Sequence, residues 1–129
     1  MDNDYNSNRL SDEFARQRAD EKNCTIEYSD DYTLQLDIDS ETAYDTFHEQ
    51  LHLLEDLELL VTERSFEERR SRNGNRHVII KLRDPLPITE HILLQACLGS
   101  DLKRELLAYA GVLKGQKNPV LLFRPKEGL

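Results

Sequence analysis

The chain has 129 residues and carries 17 Lys and Arg against 25 Asp and Glu, a formal net charge of −8, with a mean hydropathy of −0.68. That length holds one core and not two, and a surplus of acid excludes coating of duplex DNA through diffuse positive charge. No apolar run reaches the roughly 18–20 residues of a membrane span, and the opening MDNDYNSNRL lacks an apolar leader segment. The expectation is a cytoplasmic protein whose Cys24 and Cys97 are reduced thiols, with Cys97 in the core.

In chain order, residues 1–31 hold nine acids and four bases and read as a polar N-terminal arm, with a short helix at 11–22 and an extended stretch at 24–28. Residues 32–129 read as a single domain. Thr33–Asp39 alternates strictly, Leu34, Leu36 and Ile38 against Gln35, Asp37 and Asp39: a half-buried first strand. Asp39 or Ser40 can cap the following helix, whose apolar line is Ala43, Phe47, Leu51 and Leu54. Leu59–Arg70 reads as a polar second strand. Asn73-Gly74 signals a hairpin turn, and His77–Leu82 alternates again as a third strand. Pro85 and Pro87 lead into a helix over 89–98, in which His91 reads as exposed. Gly99-Ser100 divides it from another helix over 101–114, and Val120–Arg124 is a last short strand.

The order β-α-β-β-α(α)-β fills about 95 residues and is that of a ferredoxin-like or RRM-like α+β domain. Right-handed crossovers then predict one four-stranded antiparallel sheet, order 4-1-3-2, with the helices on one face. In that sheet the end of the first strand lies beside the start of the third. The apolar faces claim the helices, so period 2 sends Asp37, Asp39 and His77 to the open face together. Two carboxylates about 6–7 Å apart on a strand, beside an imidazole, suit a divalent ion such as Mg or Mn in phosphoryl or nucleotidyl transfer.

The charge is segregated. Residues 32–63 contain nine acids and no Lys or Arg, whereas 64–83 hold seven bases against two acids. Arg70, Arg72 and Arg76 of that basic hairpin flank the expected site and can guide a nucleotide or nucleic acid into it. Each feature also has a plainer reading, as a solvated strand end, a helix cap or a solvated turn.

LDID in the first strand followed by SRNGNRHVIIKL before and within the third resembles the catalytic palm of archaeo-eukaryotic primases and primase-polymerases. The resemblance covers about residues 32–83. It implies metal-binding acids at Asp37 and Asp39, a phosphate-binding histidine at His77, and a turn at Ser71 and Gly74. LLQACLGSDLKRELL is also similar to stretches in small phage and mobile-element proteins. The palm takes a third carboxylate from a later strand, and PVLLFR at 119–124 has none, which implies a palm reduced to binding.

Two other readings compete. His48-Glu49-Gln50-Leu51-His52 matches the H-E-x-x-H motif of zinc peptidases on a predicted helix. A small acidic domain with an exposed sheet edge can alternatively pair with a protein partner, dimerise, or mimic nucleic-acid charge.

Overall fold

The structure, a computed structural model, describes residues 11–60, 62–71 and 73–126. Its elements in chain order are α1 (Asp12–Glu21), β1 (Cys24–Tyr28), β2 (Thr33–Ile38), α2 (Glu41–Asp56), β3 (Thr62–Arg70), β4 (Arg76–Leu82), α3 (Ile88–Cys97), α4 (Leu102–Leu113) and β5 (Leu121–Pro125). This is a mixed α+β protein with two antiparallel sheets. The elements follow the periodicities, and Ser40 rather than Asp39 caps α2, its hydroxyl accepting from Ala43 N–H at 3.1 Å.

The apolar alternations meet as expected. Leu34, Leu36 and Ile38 of β2 and Val78, Ile80 and Leu82 of β4 form one cluster with Phe47 of α2 and Leu98 just after α3. Gly99 lets the chain turn there: its φ is +91°, and a Cβ would stand 2.5 Å from the Ala43 carbonyl oxygen. Two helical assignments from sequence are corrected. His91 is buried, donating Nε2–H to the Asp31 carbonyl at 2.9 Å. Cys97 is exposed and Cys24 is the buried thiol.

The sheet order differs from 4-1-3-2. Strands β2, β4 and β3 form a three-stranded sheet in that order, and β5 pairs with β1 in a separate two-stranded ribbon. Residues 24–28, set apart by sequence as part of an arm, are thus half of that ribbon. The reason lies along the free edge of β2, where residues 33, 35 and 37 point their backbone groups away from β4. A strand needs those groups open, and here side chains and the Asp101 backbone N–H hold them. Ser29 Oγ donates to the Thr33 carbonyl at 2.6 Å. Gln35 N–H donates to Gln95 Oε1 at 2.9 Å, and the Gln35 carbonyl accepts from Arg104 Nη1 at 2.6 Å. Asp37 N–H donates to Ser100 Oγ at 3.0 Å, and its carbonyl accepts from Asp101 N–H at 2.7 Å. With its edge satisfied, β2 has no ladder to offer β5.

Arg104 also spans the gap, because Nη2 donates to the Leu121 carbonyl of β5 at 3.0 Å. Its charge is matched by Glu105, whose buried carboxylate accepts from Arg104, Gln95 and Ser100 at 2.5, 2.8 and 2.7 Å. The ribbon also touches the expected open face of the larger sheet. Gln35 Nε2 donates to the Glu27 carbonyl at 3.1 Å, and Arg69 Nη1 meets the Glu27 carboxylate at 2.6 Å. Gln35 and Ile79 are buried there, so this face is covered in part.

Candidate functional site

The two sheets, bridged by Arg104 and by the contacts of Gln35 and Arg69 with Glu27, leave a cleft between them. It is a cavity of about 390 Å³ lined by Lys22, Cys24, Asp37, Ser71, Asn73, Asn75, His77, Arg104, Leu121, Leu122, Phe123 and Pro125. The polar wall comes from β2, the β3–β4 turn and the start of β4. The apolar wall comes from β5. Lys22, just after α1, sits with Nζ 5.2 Å from the centre of the Phe123 ring.

Asp37 and His77 are directly paired across β2 and β4, as the converging alternations predict. His77 Nε2 lies 3.6 Å from Asp37 Oδ1, with 12% of the imidazole exposed and 25% of the carboxylate. Burial holds the His77 pKa below the usual imidazole value. The Asp37 carboxylate opposes that shift, and the Arg104 and Arg69 cations reinforce it. A neutral imidazole thus stands beside a carboxylate, one a hydrogen-bond donor and acceptor and the other an acceptor. Asn75 Nδ2 approaches Asp37 Oδ1 at 3.5 Å. The turn that carries Asn75 is closed by Ser71, whose Oγ accepts from Asn75 N–H at 3.0 Å, and by Gly74 at a φ of +87°.

The other sequence candidates lie elsewhere. Asp39 falls beyond the end of β2, is exposed and does not line the cavity. Arg76 points to the helical side, 3.0 Å from Glu41 and with its guanidinium carbon 3.7 Å from the centre of the Tyr44 ring. Arg70 donates to the Gly74 carbonyl at 2.7 Å and braces the turn. Arg72 lies outside the described residues. Asp39 therefore does not join Asp37 in lining the cavity. Among the described residues no group of three or more His, Cys, Asp and Glu side chains is placed to hold a metal ion. The His48–His52 motif finds no third ligand among them, and the His48 ring packs edge-on to Tyr44 with centroids 4.6 Å apart.

Sequence reasoning missed Lys22, Cys24, Asn73, Asn75, Arg104 and Phe123 as cavity residues. One signal was present: Glu105 falls on the buried line of α4 with Ala108 and Gly111, and an acid on an apolar face demands a partner. No protein-family model, curated protein or solved structure matches this chain. Among the described residues no helix is long and apolar enough to cross a membrane.

Proposed function

We propose that the protein binds a nucleotide, free or at the end of a nucleic-acid strand, in the cleft between its two sheets. The observation that carries this reading is the division of one cavity of about 390 Å³ into an apolar wall and a wall of convergent polar groups. That size falls in the range of small-ligand sites, about 300–1,000 Å³. Phe123 and Pro125 offer a flat apolar surface to a base. The Asp37 carboxylate accepts from ribose hydroxyls, as acidic groups do in dinucleotide sites. Asn73, Asn75 and His77 supply amide and imidazole groups for a base edge. Phosphate goes to the Lys22 side of the cavity, away from the Asp37 carboxylate.

The strand run β2–β4–β3 with α2 keeps three strands of a ferredoxin-like order, which supports a palm-like unit retained for binding. Since Asp39 stands apart from the cavity, the binding is independent of Mg and Mn. Calorimetry with nucleoside mono-, di- and triphosphates, each with and without Mg, tests this. Binding is expected in both conditions, weakened roughly tenfold or more by Asp37→Asn and by Phe123→Leu, the scale of one lost hydrogen bond or stacking contact. Asp39→Asn should leave affinity unchanged. Failure of every nucleotide to bind at millimolar concentration overturns the reading, and so does binding that requires Mg and Asp39.

A further inference from the structure

Helix α4 carries an apolar row that no described residue covers. Leu102, Leu106, Tyr109 and Leu113 recur at steps of four, three and four residues, one line along a helix, and are between 46% and 69% exposed. The buried side of α4 is a different one, made by Glu105, Ala108 and Gly111. Scattered exposed leucines are ordinary, whereas a continuous row marks a contact surface.

Three properties of the row select its occupant. Its spacing reads the same in both directions about the midpoint of Leu107 and Ala108. A second α4 laid antiparallel therefore sets Leu102 against the partner's Leu113 and Leu106 against the partner's Tyr109, twice over, which is a self-complementary two-fold contact. The same four-three-four spacing is that of a helix–helix seam.

Charge is the second property. At a net charge of −8 two copies repel across most faces. Exposed carboxylates stand on α1 (Glu13, Asp20, Glu21), on α2 (Glu41, Asp45, Glu49) and on α3 (Glu90), while the one acid of α4, Glu105, is buried. Approach through α4 meets the least repulsion, and the antiparallel register sets Asp101 level with the partner's Lys114 while opposing the two helix dipoles. Area is the third. The four residues at these exposures present on the order of 400–500 Å², and flanking polar groups bring this toward the roughly 800 Å² per partner of a stable interface.

We propose that the protein forms an antiparallel two-fold dimer through α4. Sedimentation equilibrium of the full chain over micromolar to millimolar concentrations should show monomer and dimer. Leu106→Glu should raise the dissociation constant roughly 30-fold or more, with the circular dichroism spectrum of the monomer unchanged because the residue is exposed. Leu57→Glu, on the acidic end of α2, should leave it unchanged. Added salt should tighten the dimer, since the repulsion between two copies of net charge −8 that it screens outweighs the Asp101–Lys114 pairings at the rim. In a Cys97→Ser background, mixing Leu102→Cys with Leu113→Cys chains should give oxidised dimer beyond that of either alone. A monomer at every concentration overturns the proposal. So does loss of the dimer in Leu57→Glu or with salt, which indicates head-to-tail pairing with α2, and so does efficient cross-linking of Leu102→Cys by itself, which indicates a parallel pair.

Discussion

His77 shows how one position sets both charge and chemistry. It is the second residue of β4, on the side facing the ribbon, where burial disfavours the imidazolium more than Asp37 supports it. Its folded pKa lies below the ordinary value of about 6.5, so the unfolded chain binds a proton first as the solution is acidified. The stability contributed by this group is therefore fully present above about pH 6.5 and is lost as pH falls through the folded pKa. Two measurements follow. In an NMR titration the His77 ring should take up its proton only below the ordinary imidazole value of about 6.5. In denaturant unfolding, the decline in stability just below pH 6.5 should be smaller in His77→Gln than in the unmodified chain. An imidazole that titrates at or above the ordinary value would show that the Asp37 charge outweighs burial.

At the scale of elements, the edge of β2 decides the sheet arrangement. The alternations of β2 and β4 were legible because apolar period 2 leaves one solution for which face meets the helices. That placed Asp37 beside His77 correctly. The place of β5 was not legible, because period says which way side chains point and nothing of which edge a strand joins. The edge is settled by Gln95, Ser100 and Arg104, polar residues whose partners are 60 or more positions away in the chain. Asp39 escaped the cavity for a local reason, since β2 ends at Ile38 and Ser40 starts the cap. Arg104 is consequently a sheet-joining residue. Arg104→Met removes the donors to Gln35 and Leu121 and leaves Glu105 buried without its counter-charge. The expected loss is about 3–5 kcal/mol, read from chemical denaturation. Arg104→Lys should recover little, because one ammonium cannot reproduce the two-armed guanidinium geometry. A loss below about 1 kcal/mol would mean that the two sheets hold together without this bridge.

Across the whole molecule, the net charge of −8 is a poor guide to where anions are tolerated. The acid is concentrated on the exposed side of α2, on the far side of the larger sheet from the cleft. Among the described residues, those lining the cleft include Lys22 and Arg104 with one carboxylate, Asp37. The sum of charges still opposes broad adsorption to nucleic acid, and the local balance permits a single phosphate-bearing ligand. Arg104 of α4 lines the cleft, whereas Leu102, Leu106, Tyr109 and Leu113 of the same helix do not, so the proposed dimer and the proposed ligand site use different side chains. The measurement that bears most directly on the cleft is an amide NMR titration with a nucleoside triphosphate in the presence of EDTA. Shifts should gather at residues 22–24, 71–77 and 121–125 and saturate together, with Asp39 and the exposed face of α4 unaffected. Absence of saturable shifts, or shifts confined to Asp39 and the start of α2, would contradict a nucleotide site between the sheets.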